Sequence, residues 1–276
     1  MEELNLIIDK ISIIDADLKK IINQEVKIPY VDDYNSVSDY WYPHPPCLIP
    51  LFLGYGASHK GVVHQFFCDK KDTFGEYFLE QGFISEIARN SKQWITLILL
   101  KIIMTKEGLN DETINFCKQV NYSDYEEVDE FTLDYGDNPN EFKNLIYIKQ
   151  ETPSRYVKNI SEYNGDFSST LSAINSAQIQ NSSIFEIAVP EKLNEINDLP
   201  LWLNRNEDKQ ALFEDYLNKN MLKEAWFTLN SKGWKLKDVA TALEELAMKT
   251  DDELFHLVTK NWINGWRKST DQDGSY

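Results

Sequence analysis

Apolar residues at Leu4, Ile7, Ile8, Ile11, Ile14, Leu18, Ile21 and Ile22 recur in steps of three and four. That spacing lays them along one side of a helix and predicts a helix over 2–25, closed by Pro29. The period is then lost. Over 30–50, Tyr30, Tyr34, Tyr40, Trp41 and Tyr42 lie among Pro43, Pro45, Pro46 and Pro50. Clustered prolines forbid a helix and favour an extended path, so this is read as an ordered aromatic arm whose apolar mass needs burial. The run Leu48-Ile49-Pro50-Leu51-Phe52-Leu53 ends in Gly54-Tyr55-Gly56 and reads as a buried strand with a glycine turn. Residues 61–68 read as its hairpin partner and 73–79 as a third strand. Residues 83–106 predict a helix with a break near Asn90-Ser91, Ser91 as cap and Gly108 as stop. Asn110 or Asp111 caps a further helix through Val120.

Downstream, 145–148 reads as a short strand. Residues 150–182 are polar and weakly patterned, a link between two halves, and 183–189 reads as a strand ended by Pro190. From 206 onward four apolar stripes predict helices. They are Leu212, Phe213, Tyr216 and Leu217; then Leu222, Ala225, Trp226 and Leu229; then Val239, Ala242, Leu243 and Leu246; then Leu254, Leu257, Val258 and Trp262. Short connections suit antiparallel neighbours. The tail after Trp266 is polar and is expected to fray. The pattern as a whole predicts an α+β protein, with a small antiparallel sheet and helices in the N-terminal part and an all-helical C-terminal part. The expected division is an α+β domain at 1–150, an irregular connecting segment at 151–205 and a helical subdomain at 206–276.

Composition narrows the function classes. The 276 residues carry 45 acidic and 28 basic side chains, a net charge of −17. Gripping nucleic acid or anionic lipid needs local positive charge, so neither is an expected direct partner. A partner that is itself basic remains open. No run of about 18 apolar residues is present, so no membrane span is expected. The start Met1-Glu2-Glu3-Leu4 lacks the basic, then apolar, order of a secretory signal. Cys47, Cys68 and Cys117 are too few for a disulfide scaffold and fit a reducing compartment, so the expected location is cytoplasmic.

Three of the four histidines and two of the three cysteines fall together, at His44, Cys47, His59, His64 and Cys68. These are zinc-ligand types. If 61–68 is a strand, however, His64 and Cys68 stand about 13 Å apart, too far to share an ion. Buried cysteines and hydrogen-bonded histidines are the plainer reading, and neither a metal nor another cofactor is expected. A Cys68 nucleophile with His64 or His59 would need a third orienting group that the spacing does not supply. Glu76, Glu80 and Glu86 are the least bland carboxylates, though a solvated face accounts for them. No nucleophile-elbow, zincin, calcium-loop or dinucleotide-loop motif is present, and no catalytic residue is assigned.

The block from Asn121 to Phe142 changes the picture most. It holds Asp124, Glu126, Glu127, Asp129, Glu130, Asp134, Asp137 and Glu141, and no Lys or Arg. Tyr125, Val128 and Phe131 are helically spaced within it, so the block can be anchored while its acids face water. Such a face steers and selects a basic partner, although it also serves solubility. The expected partner-binding residues are Asp124, Glu126, Glu127, Asp129, Glu130 and Asp134, with Trp41 and Tyr42 as aromatic anchors.

The stretch Tyr40-Trp41-Tyr42-Pro43 through Leu48-Ile49-Pro50-Leu51-Phe52-Leu53-Gly54-Tyr55-Gly56, followed by Glu86-Ile87-Ala88-Arg89-Asn90, resembles immunity proteins of bacterial polymorphic-toxin loci, of the SMI1/KNR4 (SUKH) type. The resemblance covers residues 40–120, and Gly54-Tyr55-Gly56 stands where that group has Asn-Gly. It implies a binder rather than a catalyst and carries over no active-site residue. The leading expectation is a non-enzymatic acidic protein that neutralises a basic protein partner such as a toxin nuclease. The alternatives are a non-catalytic subunit of an intracellular phage-defence or regulatory assembly, docking through the C-terminal helices, and an enzyme using the His/Cys cluster at 44–68.

Overall fold

Five strands pair in chain order as an antiparallel meander: β1 (Asn35–Ser36), β2 (Leu48–Leu53), β3 (Ser58–Val63), β4 (Thr73–Phe78) and β5 (Phe83–Ala88). The computed structural model describes residues 2–37, 40–56, 58–80, 83–157, 163, 200–204 and 206–276. Pro50 lies inside β2, where it cannot donate to a ladder. The register accordingly slips between Pro50 and Phe52, leaving Leu51 as a bulge. Opposite stands Gly61, where an added Cβ would lie 2.0 Å from the Ile49 carbonyl oxygen. Gly61 therefore serves close strand approach and not a turn, whereas Gly56, at φ +70°, does serve the turn.

Helices α1 (Glu2–Lys10), α2 (Ala16–Ile22), α3 (Ser91–Lys106), α4 (Asp111–Gln119) and α5 (Tyr125–Tyr135) occupy the N-terminal part. α6 (Lys209–Asn218), α7 (Leu222–Leu229), α8 (Leu236–Ala247) and α9 (Glu253–Lys268) follow. The α+β class is as the sequence predicts. One face of the sheet receives Trp94 of α3, whose ring lies 4.5 Å from Phe74 and 5.7 Å from Phe52. Beyond β3, Phe66 meets Trp226 of α7 at 5.2 Å and Phe255 of α9 at 4.9 Å, both edge-on. α1 runs antiparallel to α9, with Glu3 paired to Lys260 at 2.9 Å and Lys10 to Glu253 at 2.7 Å. One continuous hydrophobic core takes in Ile7, Phe66, Trp94, Trp226, Leu243 and Phe255.

Several elements differ from expectation. The 2–25 helix is two helices, because the Asp15 carboxylate accepts the backbone N–H groups of Asp17 and Leu18 and starts α2 afresh. Residues 83–88 are a strand, since β4 offers them a ladder. α3 starts after them, capped by Asn90 rather than Ser91. β3 ends at Val63, and a left-handed Phe67 (φ 63°) turns the chain before Cys68. Residues 145–148 form a turn, with Leu145 and Ile148 both buried. The segment 183–189 lies outside the described residues. The tail does not fray: Ser275 bridges Lys235, the Tyr276 hydroxyl donates to the Leu229 carbonyl at 2.5 Å, and the carbonyl of Gly274 accepts from Leu236 at the start of α8.

Asn230, fully buried just after α7, joins the two parts of the chain. Its Oδ1 accepts from the Cys47 backbone at 2.7 Å and its Nδ2 donates to the Trp226 carbonyl at 2.8 Å. Asn230→Ala strands the Cys47 N–H in the core, a cost of about 2 kcal/mol. The expected result is a lower urea midpoint at unchanged m-value; an unchanged midpoint would show that water replaces the amide.

Candidate functional site

Helix α5 is fixed by its apolar side. Val128 and Phe131 are buried, and Phe131 packs on Phe142, which in turn meets Tyr156 at 4.9 Å. The opposite side carries Glu126, Glu127, Glu130 and Asp134, all exposed, with Leu133 among them at 80% exposure. Glu126, Glu130 and Asp134 follow one another at i, i+4 and i+8, a straight row of like charges. None of the four exposed acids has an ion-pair partner among the described residues. Such pairs repel by a few tenths of a kcal/mol each. Glu126 and Glu127 gain from the positive helix start, but Asp134 sits in the last turn, where the dipole opposes it.

Asp124 and Asp129, the other two acids expected to meet a partner, are differently placed. Asp124 accepts the Tyr147 hydroxyl, which holds its carboxyl below the usual range, while desolvation and that same carboxylate push the Tyr147 phenol up to about 12. Asp129 is half-buried. The exposed acids of α5 are therefore Glu126, Glu127, Glu130 and Asp134, with Asp124 and Asp129 partly covered.

Trp41 and Tyr42 belong to another part of the molecule. The Trp41 indole meets Trp262 of α9 edge-on at 5.4 Å and lies over Gly265, where an added Cβ would come within 2.2 Å of it. Tyr42 serves through its backbone: its carbonyl faces His44 Nδ1 at 2.8 Å and His59 Nε2 at 3.1 Å. Both imidazoles are buried, with ring centres 4.8 Å apart. Burial holds His44 below the usual histidine range, aided by the neighbouring His59, and lowers His59 to about 4.

The His/Cys cluster disperses. Cys47 is enclosed beside Asn230, its thiol raised by burial. His64 binds Asp72 at 2.7 Å, the orienting acid that spacing alone did not supply. Cys68 Sγ, however, lies 4.0 Å from the Gln65 carbonyl and makes no hydrogen bond to His64 among the described residues. Among those residues no three His, Cys, Asp or Glu side chains converge as a metal site. Glu76 is buried between Lys60 at 3.3 Å and Arg155 at 2.5 Å. Glu86 is buried and accepts the Ser154 N–H at 2.8 Å; desolvation raises it to about 7. These two acids tie the sheet to 154–156, whereas Glu80 is exposed.

No described helix is long and apolar enough to cross a membrane. No protein-family model matches the chain, and the searches of curated proteins and of solved structures likewise return no match.

Proposed function

We propose that this chain is a non-enzymatic, cytoplasmic binding protein of the immunity or antitoxin type, which neutralises a basic protein such as a toxin nuclease by presenting α5 to it. The observation that carries this reading is the unpaired row Glu126, Glu130 and Asp134 beside the exposed Leu133. A self-repelling row costs the free helix stability, and a cationic surface relieves that cost. Leu133 supplies the apolar contact that charge alone lacks. The likeness of residues 40–120 to toxin-immunity proteins points the same way. The competing reading, docking of the C-terminal helices onto an assembly, needs their apolar faces; Trp226, Leu243 and Phe255 are instead fully buried within this chain.

The test is association kinetics with a cationic toxin nuclease encoded beside this protein's gene. Replacing Glu126, Glu127, Glu130 and Asp134 together by Lys is expected to slow association at low salt by tenfold or more and to flatten its salt dependence. Unchanged rates in a folded variant would remove α5 as the recognition surface.

A further inference from the structure

A cavity of about 910 Å³ opens beside α1 and the C-terminal half of α9. Its size is that of a small-molecule site. Asn261, Asn264, Gly265 and Lys268 follow one another at i, i+3, i+4 and i+7 of α9, so one stripe of that helix forms a wall. Gly265 is the seat of the Trp41 indole, since an added Cβ there would lie 2.2 Å from the ring. A glycine inside a helix is a cost, and here it lets the indole lie flat along α9 with Trp262 against it edge-on at 5.4 Å. Trp41 is half-buried, and the rest of it faces the cavity. Its ring is thus held in place before any ligand arrives.

Amides surround that ring. Asn5 of α1, Gln24 after α2, and Asn261 and Asn264 all line the cavity, and none of the four side-chain amides has a hydrogen-bond partner among the described residues. Gln24 stands in the left-handed region, at φ 60°, which favours glycine. Charge is present too. Glu3 and Asp9 are paired with Lys260 and Lys19, and exposed Lys268 ends the α9 stripe. A primary amide both donates and accepts. A carboxylate ligand would use only the N–H half of four amides, and an ammonium only the carbonyl half. Hydroxyl groups use both. A pyranose carries its hydroxyls at the rim and C–H groups on its flat faces, and a C–H face suits the negative face of an indole.

We propose that this cavity binds a short saccharide, with one sugar ring stacked on Trp41 and its hydroxyls bonded to Asn261, Asn264, Asn5 and Gln24. The site is separate from α5 and stands whether or not α5 binds a protein.

Cellotriose tests it, titrated into the full chain labelled with nitrogen-15 while the side-chain amide resonances are observed. Saturable shifts of the Asn261 and Asn264 amides are expected. Sorbitol, which has the hydroxyls without the ring, and triglycine, which has peptide groups in place of hydroxyls, are each expected to bind at least about tenfold more weakly. Asn261→Ala with Asn264→Ala puts the strongest helix former at both positions of α9, so the fold is retained. That variant, read through Asn5 and Gln24, is expected to bind cellotriose about tenfold more weakly or worse. No saturable shift with cellotriose up to about 20 mM would overturn the proposal. Equal affinity for sorbitol or triglycine, or full binding to the folded double variant, would do the same.

Discussion

Deleting residues 206–276 is expected to unfold what remains rather than release an independent N-terminal domain. Trp226, Phe255 and Trp262 are almost wholly buried, and their neighbours include Phe66 and His44. Removing α6–α9 bares the side of α1 held by Glu253 and Lys260, and it takes away three buried polar ties. These run from Asn230 to Cys47, from the Trp226 indole to Gln65 at 2.9 Å, and from the Trp262 indole to the His44 carbonyl at 3.0 Å. Each large apolar side chain returned to water costs about 1.5–3 kcal/mol, and a domain has only about 5–15 kcal/mol in hand. Four or five such side chains suffice. The fragment 1–205 should show no cooperative urea transition and should bind a hydrophobic dye. A cooperative transition near the full-length midpoint would mean that the two parts fold separately.

The same contacts explain what was legible in the sequence. Helix stripes are local, and the stripe Val239, Ala242, Leu243 and Leu246 is buried in α8 as its spacing predicts. Caps are local too, and Asn110 caps α4 through its Oδ1. The row Glu126, Glu130, Asp134 follows from a three-and-four count once Val128 and Phe131 fix the inward side. The β5 strand was not legible, because Phe83–Ala88 is apolar enough for either state and only pairing with β4 settles it. Nor was the fate of His44, His59, Cys47 and Gln65, whose partners Trp262, Tyr42, Asn230 and Trp226 lie between 17 and 218 residues away. Asn230 has no signal of its own, being one asparagine after a helix. Trp41 and Tyr42 read as anchors on composition; α9 and the histidines occupy them on packing.

The pH dependence of stability is expected to be the balance of two buried groups with opposite signs. His59 titrates at about 4 in the folded chain against an ordinary 6.5, so the unfolded chain takes its proton first. Its contribution is full above pH 6.5 and is lost as pH falls through 4, about 3 kcal/mol in all, and His44 adds in the same direction. Glu86 titrates at about 7 against an ordinary 4.5, so the folded chain takes that proton first, despite the Ser154 N–H, the Tyr163 hydroxyl and Arg89 nearby. Its contribution is full below pH 4.5 and is lost as pH rises through 7, again about 3 kcal/mol. Over the shared window Glu86 offsets His59, and His44 leaves a shallow net loss on acidification. Glu86→Gln removes the buried charge and the offset together. That variant should exceed the parent protein by about 2–3 kcal/mol at pH 8, lose the advantage by pH 4.5, and fall more steeply between them. His59→Gln, which keeps an N–H for the Tyr42 carbonyl, should do the reverse and resist acid better than the parent. Urea midpoints of the three proteins at pH 8, 6 and 4.5 decide the matter. A Glu86→Gln difference that does not change with pH would mean that Glu86 carries no buried charge, and parallel curves for His59→Gln would mean that the imidazole is free to ionise in place.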